Sequence, residues 1–132
     1  MADRTRERLT ALRNGLLRLH KSLLDSERAL YERDVERITS TGQYLGLVLN
    51  DPWFAWLREL SQFIVMIDET LDLDALASAE DADRLIVQAR SLLSPSEGGD
   101  GFAGKYYEVM QRDPAAVLAH GDMIQVFGTL TP

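Results

Sequence analysis

Apolar residues recur at alternating steps of three and four along much of this chain, the spacing that places them on one face of an α-helix. The stretch from residue 51 to residue 71 shows this pattern most fully. Its apolar stripe consists of Trp53, Leu57, Leu60, Ile64, Ile67 and Leu71, widened by Trp56 and Phe63. Asp51 is suited to cap this helix, and Pro52 suits its first position, where no N–H is needed. A helix with so broad an apolar face must be covered by others, so we expect it to be the central helix of an all-α bundle.

The same spacing predicts one long N-terminal helix over residues 4 to 37. Its heptad leucines are Leu9, Leu12, Leu16, Leu19, Leu23 and Leu30. Gly15 interrupts them, and it either weakens the helix or lets a neighbouring helix approach closely. An adjoining seam carries Tyr31 and Ile38.

Four more helices are predicted, over residues 43–50, 79–93, 102–111 and from 114 onwards. The first of these is almost wholly apolar, so we expect it to be buried. Ser78, followed three residues later by Asp81, predicts a capped start, and residues 72 to 77 form a connector before it. The chain is thus expected to be one domain, residues 1–132, folded as an up-and-down bundle of about five to six helices.

Composition narrows the possible functions. The chain has 132 residues, 45% of them hydrophobic, and no cysteine, which suffices for a core and rules out disulfides and thiolate chemistry. The charged N-terminus lacks the apolar run of a signal peptide, and no stretch is apolar enough to span a membrane, so we expect a soluble cytoplasmic protein. A net charge of -7 disfavours nucleic acid and anionic membranes as partners.

The charges are unevenly distributed. Residues 1–21 are mainly basic, whereas residues 68–83 contain acidic residues and no cation. We expect these two regions to face each other within the bundle. The alternative is a basic end that binds an acidic partner.

Known catalytic and cofactor motifs give no support for an enzyme. The sequence GDGFAG at residues 99–104 matches a dinucleotide-binding pattern, but a helix and a proline precede it where a β-strand is required. Neither His20 nor His120 lies in a metal-binding pattern, and hydrolase and P-loop motifs are absent. We therefore expect no cofactor and no metal.

One polar pattern deserves a functional interpretation. Arg6, Arg13, His20, Glu27 and Asp34 are spaced by sevens and form a column along the apolar face of the first helix. If the central helix is antiparallel to the first and Pro52 begins level with residue 36, Asp68 comes level with His20. We therefore predict a buried hydrogen bond between Asp68 and His20, with Glu27 accepting one from Arg28, Tyr44 or an arginine elsewhere.

Two interpretations of this seam remain open. It can be a structural network that fixes helix register. Alternatively, His20, Glu27 and Asp68 serve as acid, base or ligands in a pocket whose apolar walls are Tyr31, Trp53 or Trp56. The tryptophans themselves are expected to be core anchors whose indole N–H reaches a carbonyl, with a ligand or partner groove as the alternative.

Three segments carry a resemblance to a known group: LHKSLLDSERALYE, DPWFAWLRELSQFIVMIDE and QRDPAAVLAHGD. They are similar to small bacterial all-helical proteins without an assigned activity. The resemblance implies a bacterial cytosolic helical protein and assigns a role to no residue.

These observations favour a non-enzymatic protein-interaction module that acts as a homodimer, because the predicted helices have more apolar surface than one small domain covers. The alternative is a small-molecule-binding or metal-binding protein, or an enzyme, that uses the seam of His20, Glu27 and Asp68. A third possibility is an adaptor that binds anions through Arg4, Arg6 and Arg8.

Overall fold

A computed structural model describes residues 2–73 and 77–130, and all regular structure within these ranges is helical. The six α-helices are α1 (Asp3–Asp34), α2 (Thr41–Asn50), α3 (Arg58–Asp72), α4 (Ala79–Leu92), α5 (Gly101–Arg112) and α6 (Pro114–Leu130). A 3₁₀ helix, Pro52–Leu57, leads directly into α3. The predicted all-α fold with a long N-terminal helix is confirmed. Of the predicted connector, residues 74–76 lie outside the described residues.

Helix α1, rather than the predicted segment 51–71, is the helix around which the bundle is organised, because the 3₁₀ helix, α3, α4, α5 and α6 all contact it. Five of its six heptad leucines are fully enclosed, while Leu30 is half-buried. The enclosed ones are Leu9, Leu12, Leu16, Leu19 and Leu23. The helix ends at Asp34, three residues before the predicted end. Burial of a whole leucine stripe stabilises a helix far more than propensity does, which explains why the pattern predicted α1 well.

Apart from α2, the helices form four rods that alternate in direction. These are α1, the 3₁₀ helix with α3, α4 followed by α5, and α6. Helix α3 runs antiparallel to α1, and so does α6, whose Leu130 carbonyl accepts a hydrogen bond from Arg8 near the start of α1. Helices α4 and α5 follow each other along α1 in its own direction. Asp83 of α4 pairs with Arg8, and Arg112 of α5 pairs with Glu27 much further along α1.

Close contact between α1 and α6 depends on Gly15. A Cβ atom at this position would lie 2.9 Å from Sδ of Met123, which is itself enclosed. The absence of a side chain therefore lets Met123 of α6 pack directly against the α1 backbone, which is the close approach that one of the two interpretations of Gly15 predicted.

The predicted central helix begins differently from the prediction. Residues 52–57 form a 3₁₀ helix, in which Asp51 accepts from the Trp53 amide at 2.8 Å and its own carbonyl accepts from Phe54 at 3.2 Å. Such turns are frequent at helix starts, and they rise about 2.0 Å per residue instead of about 1.5 Å. The α-helical part starts at Arg58.

The expectation that residues 43–50 are buried is wrong. No residue of α2 is fully buried, and Leu45 and Leu49 are largely exposed. The inner side of α2 covers a small second cluster, separate from the main core. That cluster is built on Tyr31, Ile38 and Phe54. Helix α2 is therefore a cap over one end of the bundle rather than a core helix.

The GDGFAG segment has a structural explanation. Gly101 has φ +59°, a left-handed conformation that favours glycine, and it opens α5. A Cβ atom at Gly104 would overlap the Gly99 carbonyl, and the Ser96 amide donates to the Ala103 carbonyl at 3.1 Å. The glycines thus let a tight loop fold back onto the first turn of α5.

The basic and acidic regions meet within the bundle, as predicted. Arg8 of α1 pairs with Asp83 of α4 at 2.7 Å, and Arg13 pairs with Asp68 of α3. Within the described ranges, no helix combines the length and the apolar character needed to cross a membrane.

Candidate functional site

The polar column of α1 faces α3 over its first half. Arg6 donates to the Leu71 carbonyl at 3.2 Å, Arg13 pairs with Asp68, and His20 lies 3.1 Å from the Ser61 hydroxyl. These contacts continue the antiparallel register of the two helices. The column is therefore a polar seam between helices, but its members meet separate partners.

The predicted hydrogen bond between Asp68 and His20 is wrong. Asp68 lies about two helical turns closer to the start of α1, where Arg13 binds it. The prediction placed Pro52 level with residue 36 of the first helix. In the structure the next residue, Trp53, is level with Tyr31, since the two rings pack with 5.6 Å between their centroids. The return along α1 therefore starts lower on α1 than predicted, and the 3₁₀ helix, which rises about 2.0 Å per residue, carries α3 further along α1.

His20 forms a structural contact in the α1–α3 seam. The Ser61 hydroxyl donates to the Leu57 carbonyl at 3.0 Å, so it accepts from Nε2 of His20. Burial lowers the pKa of His20, which favours the neutral ring in this position. Among the described residues, no carboxylate orients the other ring nitrogen, so a serine–histidine–acid arrangement is not formed.

Glu27 is the buried member of the column. It is 5% exposed, and its Oε1 accepts a hydrogen bond from Nη2 of Arg112, the last residue of α5. The prediction that an arginine elsewhere would bind Glu27 is therefore confirmed, whereas Arg28 pairs with Glu32 and stacks over Tyr44. A buried carboxylate requires a cation beside it, and Arg112 supplies one here.

The predicted aromatic walls lie beside Glu27. Trp53 packs edge-on against Tyr31, and Trp56 packs on Phe102 of α5 with 5.3 Å between centroids. Both tryptophans are partly buried. The 3₁₀ helix places them three residues apart, on one side of the chain as it enters α3.

These elements enclose a pocket of about 210 Å³ between α1, the 3₁₀ helix and α5, which we call the tryptophan pocket. Its lining consists of Glu27, Leu30, Pro52, Trp53, Trp56, Lys105, Glu108 and Arg112. Three of the six residues predicted from the sequence, Glu27, Trp53 and Trp56, thus lie in one pocket. Tyr31 supports Trp53 from behind, while His20 and Asp68 lie elsewhere in the seam.

The expectation that each indole N–H reaches a carbonyl is wrong. Nε1 of Trp53 and Nε1 of Trp56 are enclosed and meet no acceptor among the described residues. Each enclosed donor without a partner costs roughly 1–3 kcal/mol. These two donors belong to residues that line the pocket, and this makes the pocket a stronger functional candidate than the rest of the seam.

The sequence interpretation missed the wall contributed by α5. Lys105, Glu108 and Arg112 are spaced by three and four residues, so they share one face of this helix. That charged face was visible in the sequence. Nothing local showed that it lies opposite Glu27, since the contact joins residues 85 positions apart.

The sequence also did not predict a hydrogen bond between Tyr106 and His120. The hydroxyl of Tyr106 lies 2.5 Å from Nδ1 of His120, and Tyr106 is fully enclosed between α5 and α6. Burial raises the pKa of Tyr106 and lowers the pKa of His120, so the hydroxyl donates to a neutral ring. This pair joins α5 to α6, and neither of its residues lines the tryptophan pocket.

Within residues 2–73 and 77–130, no group of three or more histidine or carboxylate side chains is arranged to hold a metal ion. Comparison of the chain with protein families, curated proteins and solved structures gave no match. The resemblance to small bacterial helical proteins therefore gains no support from these comparisons, and functional inference rests on the geometry.

Proposed function

We propose that this protein is a non-enzymatic interaction module that forms a homodimer through the outer face of α6. The observation that carries the proposal is a four-turn helix face without a charged side chain. It is formed by Pro114, Val117, Leu118, Gly121, Ile124, Gln125 and Gly128. The proposal includes a cytoplasmic location, which the absence of cysteine supports.

This outer face of α6 combines apolar side chains with a flat centre. Val117, Leu118 and Ile124 are 45%, 71% and 51% exposed. Between them lies Gly121, and a Cβ atom there would meet nothing within 4 Å. A second helix can therefore approach the α6 backbone closely at this point, with apolar side chains on either side.

A second copy of the chain is the partner that this surface suits best. The chain carries a net charge of -7, so two copies repel each other wherever their charged faces meet. Asp122, the one charged side chain of α6, lies to the side of the outer face, in a crevice with Arg18. Two α6 faces related by a twofold axis would bury apolar surface without bringing charges together. A basic partner or a nucleic acid would find nothing to attract it here.

The dimer also requires surface beyond α6. A standard interface covers about 800 Å² on each partner, which is more than one four-turn helix face supplies. Neighbouring side chains of α1 and α5 would contribute the rim, and their charges would make the association weaker at low ionic strength.

Sedimentation equilibrium over a range of protein concentrations tests the proposal. We expect a dimer for the unmodified chain and a monomer for Ile124→Glu, because the substitution places like charges opposite each other across the axis. The matched control is Val65→Glu on α3, since Val65 and Ile124 are 52% and 51% exposed. The control should remain a dimer. A monomeric unmodified chain, or equal loss of association in both variants, would overturn the proposal.

A further inference from the structure

We infer that the tryptophan pocket binds a small zwitterion with an apolar side chain, the chemistry of a free apolar α-amino acid. The inference is independent of the proposed dimer, because no residue that lines the pocket belongs to α6. It rests on the balance of charges in the pocket, on the residues of its apolar wall and on its volume.

The charges of the pocket favour a ligand that carries both signs. Glu27 and Glu108 supply two carboxylates, and Lys105 and Arg112 supply two cations. A simple anion would be attracted by two of these groups and repelled by the other two, and the same holds for a simple cation. A ligand with an ammonium and a carboxylate meets an opposite charge at each end.

Each of these charged groups can form further hydrogen bonds to a ligand. Arg112 donates one N–H to Glu27, and a guanidinium has five. Oε2 of Glu27 accepts no hydrogen bond from the described residues. Lys105 and Glu108 are 3.7 Å apart and largely exposed at the rim, so they are loosely paired and can turn toward a bound molecule. The ligand carboxylate would bind Arg112 and Lys105, and its ammonium would bind Glu27 and Glu108.

The apolar wall of the pocket favours an apolar side chain on the ligand, and the pocket volume limits the size of the ligand. Leu30, Pro52 and the two tryptophans offer apolar surface beside the charged groups. The volume of about 210 Å³ lies below the range of about 300–1,000 Å³ that is usual for pockets of drug-sized ligands. That space suits a free amino acid with a branched aliphatic side chain, and it is too small for a nucleotide or a long peptide.

Intrinsic fluorescence provides a direct test, because the chain has two tryptophans and both line the pocket. The probes are leucine, isoamylamine, which lacks the carboxylate of leucine, and isocaproate, which lacks its amine. We expect a saturable change with leucine and an affinity at least about tenfold lower for each singly charged analogue, since each loses one charged contact. Equal affinity for either analogue would overturn the inference, and so would the absence of a saturable response to leucine.

Variants at the rim separate ligand contacts from folding. Lys105→Gln and Glu108→Gln change side chains that are 57% and 63% exposed, so the fold should tolerate them. We expect each to weaken leucine binding several-fold, by roughly the value of one partly exposed charged contact. The matched control is Lys21→Gln, on the exposed side of α1 and outside the pocket. Unchanged affinity in both rim variants, or an equal loss in the control, would contradict the assignment. Ile124→Glu should bind leucine normally, which distinguishes a failed pocket from a failed dimer.

Discussion

Arg112 donates a hydrogen bond to Glu27 across 85 positions of sequence, and so joins the end of α5 to the middle of α1. Glu27 is almost fully enclosed, whereas the side chain of Arg112 is 30% exposed. The pair therefore belongs to the class in which removal of one partner leaves a buried charge without compensation.

Arg112→Met should lower the free energy of unfolding by about 3 kcal/mol, near the lower end of the cost of breaking a buried pair, because water still reaches part of the site. Urea denaturation measures the change. The control is Lys21→Met, which removes an exposed pair with Asp25 and should change stability by less than about 1 kcal/mol.

The double variant Glu27→Leu with Arg112→Met should recover most of the loss, because no buried charge then remains. If the double variant were as unstable as Arg112→Met alone, packing rather than the unpaired carboxylate would be the cause. The coupling between the two sites, read from the double-mutant cycle, is the decisive quantity.

The two histidines predict that the free energy of unfolding depends on pH at values above those at which carboxylates titrate. Burial lowers the pKa of His20 and of His120 below the usual value of 6.5. The unfolded chain then binds more protons than the folded chain as the pH falls through 6.5, so the free energy of unfolding decreases in that direction. Denaturation at pH 7.5 and at pH 5.5 should show the folded state to be less stable at the lower pH.

A double variant provides the control for this pH effect. His20→Gln retains a donor toward Ser61, and His120→Asn retains an acceptor toward Tyr106, but neither replacement titrates. The variant should lose less stability between pH 7.5 and pH 5.5 than the unmodified chain. Asp81, whose pKa is lowered by a hydrogen bond from the Ser78 backbone, acts near pH 4 and below and does not interfere. An unchanged slope would show that other groups cause the dependence.

Local patterns predicted the helices well because each helix buries a stripe that its own sequence defines. The heptad leucines located α1, and the capping pair of Ser78 and Asp81 located the start of α4. Helix α2 was misjudged because an apolar sequence does not reveal how much covering surface its neighbours supply. Leu45 and Leu49 are therefore exposed where burial was expected.

The candidate site was predicted in part, for a related reason. Glu27, Trp53 and Trp56 could be singled out by residue type and helical position. The register that separates Asp68 from His20 depends on the 3₁₀ helix and on the point where Trp53 meets Tyr31 of α1, and neither is encoded in the periodicity of α1 or α3. The partner Arg112 is a long-range contact, which a single sequence does not specify.

The helix caps provide a prediction with a built-in comparison. Ser78 accepts from the Asp81 amide, and the Asp81 side chain accepts from the Ser78 amide, which is a complete capping box at α4. Asp100 occupies the same position at α5, but its side chain makes no capping hydrogen bond. Ser78→Ala should lower the free energy of unfolding by about 1 kcal/mol, and Asp100→Ala by a few tenths. Thermal unfolding of the two variants measures the difference. Equal losses of stability would show that the hydrogen bonds of the capping box stabilise α4 no more than Asp100, which makes no capping hydrogen bond, stabilises α5.

Gly104 in α5 and Gly46 in α2 differ in the space that an added methyl group would find. Gly104→Ala would place a methyl group against the Gly99 carbonyl, a backbone atom that moves only if the loop moves. Gly46, in α2, has nothing within 4 Å of an added Cβ atom. Alanine is the better helix former by roughly 1 kcal/mol, so Gly46→Ala should stabilise the protein by about 0.5–1 kcal/mol. Gly104→Ala should instead destabilise it by about 2 kcal/mol, because the overlap outweighs the propensity. Urea denaturation of both variants tests this, and stabilisation by Gly104→Ala would show that the GDGFAG glycines are not required for packing of the loop.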